Sequence, residues 1–191
     1  MKEYSNSFLR AMTLTMKTEG GYTEDGPTYR GIDKRYWADW PGWATVDRWK
    51  AGEISTAEMN AQLDPEVKHF YWVNFWNRVN GEQIAAVSPA VAYAVFDRGV
   101  NQDAPDGVRY LQDALNLLNV NQKLYPDIVV DGKPGPVTID RLRRYFDLSP
   151  PSITVRRTMI LNVMESLYQC RIIAWMRKDP TREKYRGLLI R

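Results

Sequence analysis

A helical apolar stripe that stops at two adjacent glycines constrains the start of this chain more than any other feature. Phe8, Leu9, Met12 and Met16 recur at the spacing of an amphipathic helix buried on one face. The spacing predicts a helix over 5–19, capped by Ser5 or Asn6 and ended by Gly20 and Gly21. Glu19 lies 11 residues past Phe8, so at about 100° per residue it returns to about 20° from the Phe8 direction. A carboxyl is thus expected on the core-facing stripe at the last turn. Helix C-terminal charge and apolar surroundings would both raise its pKa. Glycoside hydrolysis needs such a proton donor. The competing reading is a glutamate turned outward beside a glycine cap.

At 191 residues, the chain is long enough for one substantial core, or one core with a small appended lobe. The net charge of +3 would help it approach an anionic polymer but falls far short of a nucleic-acid-binding stripe, so nucleic acid is not an expected partner. The arginines and lysines gathered from Arg141 onward read as a solvated helix face. Cys170 is the single cysteine, which excludes an internal disulfide, and its neighbours Leu167, Ile173 and Ala174 predict that it packs as a small hydrophobe. His69 is the single histidine, with no partner at metal-ligand spacing, so neither a metal nor a cofactor is expected. It reads as a helix-face residue. Met1-Lys2-Glu3-Tyr4 leads into no apolar signal region, and no run is long enough to span a bilayer. The expectation is a monomer made in the cytoplasm without signal peptide or anchor, acting elsewhere only after release or export.

Past the glycines, Asp25-Gly26 between Tyr and Thr residues predicts a small β-hairpin. A tryptophan-rich tract follows, with Trp37, Trp40, Trp43 and Trp49. Ser55-Thr56-Ala57-Glu58 has the form of a capping box opening a short helix, and Asp64-Pro65 is expected to open another. Ser88-Pro89 starts an apolar helix over 90–100. Further helices are predicted over 106–119, from Thr138 through Phe146, and over 152–177, with a glycine-rich loop at 131–136. The fold class is mainly α with one small β-hairpin.

These residues carry a family resemblance. Glu19-Gly20-Gly21-Tyr22, Thr28-Tyr29-Arg30-Gly31-Ile32, the trio Tyr71, Phe75 and Trp76, and Phe96-Asp97-Arg98-Gly99-Val100-Asn101 follow one another in the order seen in glycoside hydrolase family 108. That family comprises N-acetylmuramidases, among them phage and prophage endolysins and proteins labelled secretion activators. Leu111-Gln112 and the loop residues Asp131, Gly132, Gly135 and Thr138 resemble the peptidoglycan-binding region that accompanies it. The close at Tyr185-Arg186-Gly187-Leu188 resembles the family's ending, with Leu188 in place of Trp. The loop between Glu19 and Thr28 is shorter than usual.

The resemblance implies a lysozyme-like helical catalytic region over 1–101 and a helical peptidoglycan-binding region over 102–191, packed on it as one unit. It implies cleavage of the β-1,4 bond between N-acetylmuramic acid and N-acetylglucosamine in peptidoglycan glycan strands. Glu19 would be the general acid. Asp25 is the chosen second acid, as catalytic carboxylate or simple turn former, with Glu24 as its alternative and Asp33 read as capping the next helix. Thr28 would help position water, giving inversion if the carboxyls stand more than about 6.5 Å apart and retention near about 5 Å. Tyr22, Tyr29 and Trp76 are the expected sugar-contacting rings, against a core role for each tryptophan. Asp97 and Asn101, one turn apart, either line the cleft or fix the helix by buried hydrogen bonds. The rival function is a non-catalytic wall-binding or secretion-assisting protein on the same scaffold.

Overall fold

Ser5 starts the first element as its sequence position predicts. Its hydroxyl accepts the Phe8 N–H at 3.2 Å, capping helix α1 (Asn6–Thr15). The computed structural model describes residues 3–16, 21–24, 26–148 and 150–190. Within α1, Phe8, Ala11, Met12 and Thr15 are buried, as the apolar stripe requires. Glu19 and Gly20, where the helix was expected to end, lie outside the described residues.

The chain forms two compact units, Met1–Asn77 and Arg78–Arg191. In the first, strands β1 (Tyr22–Thr23), β2 (Thr28–Tyr29) and β3 (Ile32–Asp33) form an antiparallel sheet in that order. The expected hairpin is therefore extended by a third strand. Arg30 and Gly31, at φ 44° and 78°, make the second connection, a two-residue turn with both residues left-handed. Helix α2 (Gly42–Lys50) follows, and then α3 (Thr56–Tyr71).

The Ser55–Glu58 capping box is present in full at the start of α3. The helix does not restart at Asp64-Pro65, however; it runs through Pro65. Pro65 supplies no N–H of its own, but Leu63, Val67 and Phe70 on either side are buried, and that packing outweighs one lost bond. A π-helical segment, Trp72–Trp76, continues α3 and brings Trp72 and Trp76 to Phe8, at ring-centroid distances of 5.1 and 5.7 Å. Ser55→Ala removes the cap acceptor and is expected to cost about 1 kcal/mol, read as a lower urea midpoint at unchanged slope.

The second unit contains α4 (Gly81–Val87), α5 (Pro89–Asn101), α6 (Ala104–Leu117), α7 (Pro136–Asp147), α8 (Ile153–Met176) and a 3-10 segment, Pro180–Ile190. Ser88 and Ser152 cap α5 and α8 through the N–H groups of Val91 and Val155. α5 and α6 cross closely at Gly107, where a Cβ would fall 2.2 Å from the Val95 carbonyl oxygen. Thr138 lies inside α7 and is buried, whereas the helix starts at Pro136. Cys170 is exposed, contrary to its expected packing. The buried face of α8 is Arg156, Ile160, Met164, Tyr168 and Ile172, and two residues beyond Tyr168 a side chain points about 200° away.

The 131–138 loop and the Leu111-Gln112 pair come together in one hydrogen-bonded knot. The Gln112 side chain, 1% exposed, donates to Asp131 Oδ1 at 2.9 Å and Thr138 Oγ1 at 3.2 Å and accepts the Gly132 N–H at 2.9 Å. Gly132 has φ +74°, and a Cβ there would meet the Pro105 carbonyl oxygen at 2.8 Å. The motif's spacing thus has a structural explanation in the loop's own geometry. Gln112→Ala strands several of these groups and is expected to cost about 2–3 kcal/mol in urea unfolding.

Candidate active site

The three strands sort their side chains into two rows. Residues paired across antiparallel strands share a face, so Tyr22, Tyr29 and Ile32 form one row and Thr23, Thr28 and Asp33 the other. Tyr29 and Ile32 are fully buried, which turns the Tyr row toward the core and the Thr–Asp row away from it. Thr28, half-buried, therefore presents its hydroxyl on the side remote from the core. The hydroxyl donates to the Gly26 carbonyl at 2.8 Å and keeps its own acceptor capacity. Gly26 has φ +78°, as a tight turn beside the strands demands. Asp25, like Glu19, lies outside the described residues.

Directly opposite Thr28 stands Asp33. The carboxylate of Asp33 accepts the Arg35 backbone N–H at 2.8 Å and side-chain N–H groups from the same residue at 2.5 and 3.0 Å. Those Arg35 bonds hold it below the usual carboxylate range. Asp33 does not cap a helix, since α2 begins only at Gly42; its bond to the N–H two residues on makes an Asx turn. The outward row thus carries a fixed anion beside a hydroxyl.

Glu24 is held at the sheet's other end. Lys50, from the end of α2, pairs with Glu24 at 3.1 Å and donates to the Tyr22 hydroxyl at 3.0 Å. Hydrogen bonds to Tyr22 and Glu24 raise the Lys50 pKa, keeping the ammonium charged. Tyr22 is half-buried, edge-on to Trp49 at 5.6 Å, with the Lys50 ammonium 5.1 Å from its ring centroid.

Two of the expected sugar-contacting rings have no open face. Tyr29 is 0% exposed, stacks on Trp40 at 6.1 Å and donates its hydroxyl to Asn60 Oδ1 at 2.8 Å; burial pushes its pKa up. Trp76 is also 0% exposed and packs on Phe8. Both are core residues because the close approach of α1, α3 and the sheet needs large rings to fill it.

Asp97 and Asn101 belong to the second unit. Asp97 is 5% exposed and pairs with Arg98 at 2.6 Å, and the same guanidinium reaches Glu165 on α8 and lies 4.3 Å from the Tyr168 ring centroid. Asn101 donates to the Asp97 carbonyl at 2.7 Å. Asp97 thus braces the Arg98 side chain that ties α5 to α8, and the Asn101 bond stays within α5. Among the described residues no group of acidic, histidine or cysteine side chains has the arrangement of a metal site.

Sequence reasoning missed the third strand and with it the placement of Asp33 opposite Thr28. A usable signal was present: Arg30-Gly31 is a two-residue turn between Thr28-Tyr29 and Ile32-Asp33, with the glycine where a left-handed residue is needed.

Residues 12–102 match the family model of glycosyl hydrolase 108, which bears out over that span the resemblance carried by the motifs. The match supports a glycoside hydrolase. The solved structure of SagA from Brucella abortus has the same fold, with a TM-score of 0.54 at 20% sequence identity over 96% of this chain and 95% of that one. No curated protein sequence matches the chain. The mainly α, lysozyme-like fold class expected from the sequence is borne out, and no helix among the described residues is long and apolar enough to cross a membrane.

Proposed function

We propose that this protein is a peptidoglycan hydrolase, an N-acetylmuramidase that cuts the β-1,4 bond between N-acetylmuramic acid and N-acetylglucosamine. The observation that carries the reading is the glycosyl hydrolase 108 match over 12–102, a span that contains the Glu19-Gly20-Gly21-Tyr22 motif and the strands beside it. Glu19 protonates the departing glycosidic oxygen. Water attacks from the opposite face of the sugar, positioned by Asp25 together with the Thr28 hydroxyl, and the configuration inverts. The Thr28 acceptor lone pairs, on the side of the sheet remote from the core, suit that task. Asp33, opposite Thr28, is tied to Arg35 and holds that edge of the sheet in place. Residues 102–191 assist by binding the polymer.

A suspension of purified peptidoglycan tests the reading. Added protein is expected to clear its turbidity progressively; an unchanged suspension with full binding to the sediment would instead identify a wall-binding protein.

A further inference from the structure

Charge is unevenly distributed along the chain. Residues 171–191 hold seven lysines and arginines against two acids, a net +5, while the whole protein carries only +3. The net positive charge is thus located at the C-terminal end. Within the second unit, these residues occupy the end of α8 and the 3-10 segment that follows it. Arg171 pairs with Asp106, and Arg182 pairs with Asp179 at 3.4 Å and donates to the Trp175 carbonyl at 2.9 Å. Arg177, Lys178, Lys184 and Arg186 are exposed, and none has a carboxylate within ion-pair distance among the described residues.

Two aromatic rings sit among these cations. Trp175 is 36% and Tyr185 44% exposed, with ring centroids 5.4 Å apart and planes tilted by 52°. The Arg182 guanidinium lies 4.7 Å from the Trp175 ring centroid, and the Lys184 ammonium 5.1 Å from that of Tyr185. Large rings partly out of water beside basic side chains suit a layer of anionic headgroups over hydrocarbon. The ring body enters the boundary, its polar edge stays wet, and the cations meet phosphate.

A glycan strand is the competing occupant. Sugars stack on open ring faces and are oriented by well-placed neutral hydrogen-bonding groups. Here each ring already carries a cation over one face, and the tilt between the rings leaves no flat platform. Apart from the two rings, Thr181 is the one neutral polar side chain in 171–190, and its hydroxyl donates to Asp179 at 2.8 Å. We infer that this surface docks on a bilayer containing anionic phospholipid, its basic side chains on the phosphates and Trp175 and Tyr185 at the interface. The contact is peripheral, since no helix among the described residues is long and apolar enough to cross a membrane. It rests on charge and exposure and is independent of the glycosidase reading.

Sedimentation of the whole protein with vesicles of equal parts phosphatidylglycerol and phosphatidylcholine, against phosphatidylcholine alone, tests this. The protein is expected to pellet with the anionic vesicles at low salt, to stay in solution with the neutral ones, and to be released as salt is raised. Lys178→Gln with Lys184→Gln removes two exposed charges, each worth about fivefold near an anionic surface, and is expected to weaken binding by about tenfold or more. Arg143→Gln with Arg157→Gln changes the net charge equally at exposed positions away from the patch and is expected to retain most of the binding. Arg157 is about 25–30 Å from Trp175 along α8, and Arg143 is on α7, whose Tyr145 donates to the Arg156 carbonyl. All four positions are exposed, so both variants are expected to fold, which circular dichroism checks. No pelleting with anionic vesicles, or an equal loss in the two variants, would overturn the assignment. So would an unmodified protein that ignores vesicles but pellets with purified peptidoglycan through Lys178 and Lys184, which would give the surface to the glycan.

Discussion

Glu19→Gln is expected to lower peptidoglycan cleavage by about 100-fold or more while leaving the fold intact. The amide keeps the size and polarity of the side chain but has no proton to give to the glycosidic oxygen. A general acid must be protonated at working pH, so the proposed role requires the Glu19 carboxyl to titrate above its ordinary value of about 4.3. Activity of the unmodified protein should therefore fall as the pH rises through that raised value, because the acid loses its proton. Asp25→Asn is the companion measurement. A comparable loss gives Asp25 a catalytic role, and a mild one leaves it as a residue of the turn. Wild-type cleavage by Glu19→Gln would refute the assignment of the proton donor.

Arg98→Ala carries the largest expected stability cost, about 3–5 kcal/mol by urea unfolding. The Arg98 side chain is 11% exposed, and its guanidinium faces Asp97 and Glu165 while lying on the Tyr168 ring. Removing it leaves two carboxylates without their cation, one of them, Asp97, almost wholly buried. The same geometry separates the two sequence-level roles of Asp97. If it fixes α5 to α8, Asp97→Asn lowers stability and leaves activity per folded molecule unchanged. A loss of activity at unchanged stability would return it to substrate contact.

Helix starts were the most legible part of the fold. Ser5, Ser55, Ser88 and Ser152 each cap the helix that follows, because a cap is a bond between residues three apart and needs no tertiary information. Pro65 misled for the opposite reason. Its local signal says that a helix begins there, and only the burial of Leu63, Val67 and Phe70 says that one continues. α4 went unread because its N-cap, Asn80, is left-handed at φ 54° and makes no side-chain cap bond. Cys170 was placed on the wrong side of α8 because the buried stripe there includes Arg156 and Tyr168, which a count of apolar residues overlooks.

In the site, residue types were legible and their exposure was not. Tyr29 and Trp76 have the rings a sugar subsite would use, but whether a ring faces solvent depends on segments distant in sequence, here Asn60 and Phe8. The motif at Gln112, Asp131, Gly132 and Thr138 was legible as a motif, and its purpose emerged only when the side chain of Gln112 was seen to tie the loop.

The most direct measurement of the central claim is the chemistry of the new reducing ends left after the protein acts on purified peptidoglycan. Cleavage at the proposed bond predicts that N-acetylmuramic acid carries every new reducing end, with Glu19→Gln releasing about a hundredth as many. New ends on N-acetylglucosamine, or none at all from peptidoglycan that the protein demonstrably binds, would contradict the account.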